Sequence, residues 1–131
     1  MSQGDEKKHD AGKPRFELID PAADLVLAMT LTSGAVEYQD DGWLSLADNP
    51  GRRRLLGALG RHKNKYQEEL YGFAIDPQFG LPHSAHLLAC AHFLAAIDVI
   101  RLQQAGRWDG VVRDWHERTG ALRAAKYGSE A

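Results

Sequence analysis

The sequence predicts an all-α protein, a compact bundle of about four helices with an ordered loop between the second and third, expected to be oligomeric. Apolar residues recur at helical spacing in four segments separated by Pro- and Gly-rich punctuation, and no stretch reads as a convincing strand. The third segment is apolar around most of its circumference, more than a chain of 131 residues covers by itself, which is why a second copy is expected. With 44% hydrophobic and 26% charged residues the composition is that of a globular protein with one sizeable core.

Residues 1–12 are polar and are expected to form a mobile arm, leaving 13–127 as a single helical domain. The first helix opens at Asp20, an N-cap followed by Pro21 at the first helical position, where a missing N–H costs nothing. Leu25, Ala28, Met29, Thr32 and Val36 trace its inner face, and Ser33-Gly34 is a place for it to loosen. Turn formers between Gln39 and Pro50 surround Trp43, Leu44 and Leu46, so this loop is pinned by apolar anchors. A second helix is predicted from Gly51 to Leu70, with a stripe of Leu55, Leu59, His62, Tyr66 and Glu69 that puts two ionisable groups on the packing face. FAIDPQFGLP then forms the ordered loop, and Pro82 starts a third helix running from His83 to Gln104. Its widest stripe is Leu87, Cys90, Phe93, Leu94, Ile97 and Ile100, and His92 projects the opposite way. Gly106 is a C-terminal stop, and a last helix begins near Asp109.

Sixteen Lys and Arg against eighteen Asp and Glu give a net charge of −2, which supplies no basic field for a nucleic-acid polymer but leaves room for a local anion site. No unbroken apolar run suggests a membrane span, the N-terminal residues lack the apolar stretch of a secretory signal, and the single Cys90 forms no internal disulfide, so a cytoplasmic location is expected. P-loop, GxGxxG, zinc-type cysteine and nucleophile-elbow motifs are absent.

The chemistry-bearing residues cluster around the second and third helices. His83 and His86 are three apart, so their rings leave one side of a helix, either to share a metal or phosphate or as satisfied helix-start histidines. His62 and Glu69 on an apolar face need partners, either each other or a wet pocket in which Glu69 binds Mg²⁺ or Mn²⁺. Asp76 before Pro77 either opens a turn or closes the same site. Lys13-Pro14-Arg15 offers two extended cations, suited to a triphosphate or simply surface charge, and Tyr38 or Trp43 can stack on a base or anchor the loop.

Four blocks occur in one order: DAGKPRFELI over 10–19, SGAVEY over 33–38 with Trp43, Gly60-Arg61-His62, and IDPQFGLPHSAH over 75–86. Together they resemble the phage dATP/dGTP diphosphohydrolase N-terminal domain family across roughly residues 10 to 97. The resemblance implies a small helical phage enzyme that uses a divalent metal to remove pyrophosphate from a purine deoxynucleoside triphosphate. By motif, Lys13, Arg15, Tyr38, Trp43, Arg61, His62, Asp76, His83 and His86 carry over. On this reading Lys13, Arg15, Tyr38, Trp43 and Arg61 bind substrate, His62, Asp76, His83 and His86 serve catalysis, and Glu69 with Asp76 holds the metal. The chain departs from the family where an acidic pair usually precedes the Ile-Asp-Pro block, having Phe73-Ala74 there. That departure supplies the alternative, a nucleotide-binding protein on the same fold that sequesters without hydrolysing.

Overall fold

A computed structural model describes residues 12–37 and 42–128, less the side chains of Glu37 and Trp43. It contains four α-helices, α1 (Pro21–Glu37), α2 (Asn49–Glu68), α3 (His83–Gln104) and α4 (Trp108–Tyr127), with 3₁₀ turns at Phe16–Leu18 and Gly42–Leu46. No strand occurs among the described residues, so the protein is all-α. Two units divide the chain, one of Asp20–Ile100 and one of Met1–Ile19 with Arg101–Ala131; the division falls within α3.

In the Asp20–Ile100 unit α1 starts as Pro21 predicts, and the Asp20 carboxylate accepts the Ala22 N–H at 2.8 Å. The helix runs unbroken through Ser33-Gly34, and the Thr30, Thr32 and Ser33 hydroxyls donate to the carbonyls one turn back. Helix α2 begins two residues earlier than predicted. Asp48 is its N-cap, accepting the Gly51 N–H at 2.6 Å, and this makes Asn49 and Pro50 the first helical residues rather than loop. Gly51 is buried where α2 crosses the 3₁₀ turn, and a side chain there would meet the backbone of Leu46.

The C-terminal half of α2 corrects the predicted stripe. Leu55 is buried, but Tyr66 is 40% exposed, and Glu69 lies outside the helix as its C-cap. The 3.6-residue period would place these residues on one face only if the helix continued, and it ends at Glu68.

The loop from Glu69 to Pro82 is tightly held. Asp76 N–H donates to the Leu81 carbonyl at 2.7 Å, Gly80 N–H to the Asp76 carbonyl at 2.9 Å, and His83 N–H to the Ala74 carbonyl at 2.8 Å. These bonds accompany an isolated antiparallel bridge between Ile75 and Pro82. Ala74 is buried with φ at +50°, a left-handed conformation that costs a residue with a Cβ roughly 1–2 kcal/mol and that the surrounding bonds maintain. Helix α3 has the predicted bounds and buries His83, Ala85, Ala89, Cys90 and Ile97. By length and composition it is apolar enough to cross a membrane, with a mean hydropathy of 1.6, although no unbroken apolar run marks it in the sequence.

In the other unit Gly106, with φ at +68°, ends α3 as its position predicts; Gly106 and Arg107 N–H groups return to the Gln103 and Leu102 carbonyls. Helix α4 then starts at Trp108, one residue before the predicted Asp109. Arg15 pairs with Glu17 at 2.7 Å on the surface.

Candidate active site

Helix α2, the bonded loop and the first turns of α3 bring His62, Glu69, Asp76, His83 and His86 together. The loop does the positioning: its bridge and the His83 N–H bond set Asp76 beside the start of α3, where the three-residue spacing puts His83 and His86 on one side. His62 Nδ1 lies 3.1 Å from His83 Nδ1. The His62 ring stacks on His86 with centroids 4.4 Å apart and planes 8° from parallel.

Each carboxylate faces one imidazole. Glu69 Oε2 is 3.6 Å from His83 Nε2, beyond hydrogen-bond range but close enough to act through its charge. Asp76 Oδ2 is 3.3 Å from His86 Nε2, yet that buried nitrogen has no aligned hydrogen-bond partner among the described residues. Asp76 therefore fills both roles that its sequence allows: it accepts the Phe79 N–H at 3.0 Å as a turn opener, and it closes the histidine cluster.

Electrostatics separate the members. Burial pulls the Asp76 carboxyl upward, but the Phe79 and Gln78 N–H groups and the adjacent His86 and His83 together hold it below its ordinary range, so it is an anion at neutral pH. His62 is shifted down, first by burial and then by the neighbouring His86, His83 and Arg61 against a smaller opposing pull from Asp76, so it is a neutral base at pH 7. Cys90 is buried and its thiol is shifted upward, which makes it an inert apolar lining group.

Two cavities meet here. One of about 380 Å³ is bordered by Arg61, Lys65, Glu69, Asp76, Pro77 and His83, with His62. The other, about 1000 Å³, runs between α1, α2 and α3 and is lined mainly by apolar groups, including Leu31, Leu55, Ala89 and Phe93. His62 is the residue that borders both.

Arg61 apart, the predicted substrate-binding residues lie in the other unit or outside the described residues. Lys13 and Arg15 belong to the other unit, where the Arg15 guanidinium is engaged by Glu17. Tyr38 lies outside the described residues, as does the Trp43 side chain. Lys65, which is not among the residues singled out by sequence, also borders the smaller cavity; its spacing of four from Arg61 puts the two cations on one side of α2. Glu68 pairs with Lys65 at 3.4 Å on the surface. Phe73 is 91% exposed, and the buried Ala74 brings no charge to the loop.

Asp76, which is ionised, and Glu69 are the carboxylates that border the smaller cavity, and hard divalent cations commonly take one or two carboxylates and complete their shell with phosphate oxygens. No group of three or more His, Cys, Asp or Glu side chains among the described residues is arranged to hold a metal ion.

The sequence profile of the family described as dATP/dGTP diphosphohydrolase, N-terminal, matches residues 3–107, and the chain belongs to that family. No curated protein and no solved structure matches the chain.

Proposed function

We propose that this protein hydrolyses a purine deoxynucleoside triphosphate, dGTP or dATP, to the monophosphate and pyrophosphate, in the service of phage nucleotide metabolism in the host cytoplasm. The observation that carries the reading is the junction at His62: a cavity flanked by Arg61 and Lys65 adjoins a larger apolar one across a single neutral imidazole. A nucleotide lying through that junction has its base and sugar in the apolar cavity and its phosphates between the two cations, which leaves the α-phosphorus beside His62. Family membership supports the substrate class.

Asp76 and Glu69 would hold Mg²⁺ or Mn²⁺ together with the phosphates, and that ion would neutralise phosphate charge and polarise the α-phosphoryl group. Arg61 and Lys65 orient the triphosphate tail and offset charge on the departing pyrophosphate. Asp76, fixed by the Phe79 N–H, holds its carboxylate in place before substrate arrives. The stacked His62 and His86 rings present a rigid edge along which water is oriented.

The test is a chromatographic assay of the purified protein against the four dNTPs and four NTPs, with Mg²⁺, Mn²⁺ or EDTA, resolving mono- from diphosphates. Metal-dependent formation of a purine dNMP with pyrophosphate is expected; release of inorganic phosphate instead would refute the reaction class. The second reading, a non-catalytic nucleotide-binding protein, is favoured by Phe73-Ala74, which supplies no acid to the loop. Its signature is an intact nucleotide that raises the melting temperature.

A further inference from the structure

Helix α4 has an apolar face, yet it buries none of its residues. At about 100° per residue, Val111, Val112, Trp115, Thr119 and Leu122 project within about 100° of one another and form one stripe. Val111, Trp115 and Leu122 on that stripe are exposed, Leu122 to 72%. Single exposed apolar residues call for no explanation, but a stripe about three turns long marks a surface that something covers. The helix also lies beyond residues 3–107, where the family profile matches, so this face is a feature of the chain outside the matched region.

The charges beside the stripe select what covers it. One edge carries Asp114 and Arg118, and the other carries Asp109 and Arg123. On each edge the acid is nearer the N-terminus and the base nearer the C-terminus. None of the four forms an ion pair among the described residues. An antiparallel copy of the same helix answers this pattern. With a two-fold axis level with His116, Asp114 of one copy stands level with Arg118 of the other, and Asp109 with Arg123. Val111 then comes within one residue of Leu122 of the second copy. The two-fold repeats each contact, giving four opposite-charge pairs beside one apolar seam, with the helix dipoles opposed. A parallel pair in register sets Asp against Asp and Arg against Arg, which disfavours it.

We propose that α4 is a homodimerisation surface, pairing antiparallel with α4 of a second copy of this chain. This stands whether or not the protein hydrolyses nucleotide. A helix of 20 residues is about 30 Å long. One such pair buries less than the ~800 Å² per partner of a standard interface, so the dimer is weak and concentration-dependent.

Sedimentation velocity of the full chain from about 5 to 500 μM spans the affinity expected of so small an interface. The unsubstituted protein should pass from monomer to dimer across that range, and added salt should favour the monomer by screening the exposed edge pairs. Leu122→Glu, at an exposed side chain, should leave the chain folded by circular dichroism and raise the dimer dissociation constant about tenfold or more. Asp114→Arg sets a like charge against Arg118 of the second copy and should raise it about fivefold or more. Asp114→Arg combined with Arg118→Asp restores the pairs in reverse and should return it to within about threefold of the original.

A monomer at every concentration overturns the proposal. So does a dimer that Leu122→Glu leaves unchanged, because another face then holds it. A dimer weakened by Leu122→Glu but indifferent to Asp114→Arg refutes the antiparallel arrangement. A lower melting temperature in Leu122→Glu with no change in association assigns the stripe to packing within one chain and overturns the proposal as well.

Discussion

Replacing Gly51 with alanine should destabilise the protein, whereas the same change at Gly60, nine residues on in the same helix, should stabilise it. Both glycines lie within α2, so both exchanges gain about 0.4–1 kcal/mol by restricting the unfolded chain. At Gly60 nothing lies within 4 Å of the added Cβ, and the gain stands alone. At Gly51 the Cβ meets the Leu46 Cα, carbonyl carbon and carbonyl oxygen. No rotamer change relieves a backbone overlap, so the 3₁₀ turn or the helix must move, at a cost of about 1–3 kcal/mol. The two variants should therefore differ by about 1–3 kcal/mol, or at roughly 4 °C per kcal/mol by about 4–12 °C in Tm. Circular dichroism melts and urea titrations of the pair measure this. Leu46 and Ser45 line the larger cavity, so Gly51→Ala should also raise KM for the nucleotide while Gly60→Ala leaves folding intact. Equal stability of the two variants would refute the claim that Gly51 is there for close approach.

Other outcomes follow from single contacts. Asp48→Ala removes the acceptor for the Gly51 N–H and should cost about 1 kcal/mol in urea unfolding, with Asp48→Asn recovering most of it. Asp76 has a folded pKa below its ordinary value, so its stabilising contribution is complete above that value and is lost as pH falls through the folded one; Asp76→Asn should flatten the loss of stability on acidification below about pH 4. His62 is also shifted down, but as a base: the unfolded chain takes up its proton first as pH drops below about 6.5, so stability declines there, and His62→Gln should remove that part of the slope in melts from pH 7.5 to 5. Arg61→Met with Lys65→Met should raise KM for the triphosphate more than for the monophosphate product, measured by steady-state kinetics and product inhibition.

Much of the chain was legible because its signals are local. Pro21 and Pro82 fix helix starts through a missing N–H and a preset φ, and Gly106 fixes an end through a left-handed turn; each acts within a few residues. Asp48 reads as a turn former in the sequence because a carboxylate before Asn-Pro fits either a turn or a cap, and only its bond to the Gly51 N–H distinguishes them. Helical period alone points Tyr66 and Glu69 inward, but a period gives a direction and not a neighbour: Tyr66 is 40% exposed, and Glu69, past the end of α2 as its C-cap, faces His83 from there.

The sequence by itself determined the all-α class, the helix limits to within a few residues, the family, and which residues were able to do chemistry, since these depend on local backbone preference and on motif order. Tertiary structure alone decided which of them meet. His62 and His83 are 21 residues apart in sequence and 3.1 Å apart in space because a bonded loop carries the chain from the end of α2 to the start of α3. The electrostatic consequences follow from that meeting: an ionised Asp76 held by N–H groups and histidines, and a neutral His62 shaped by burial and by its neighbours. Charge and desolvation act through space over a few ångströms, and no spacing along the chain encodes that distance.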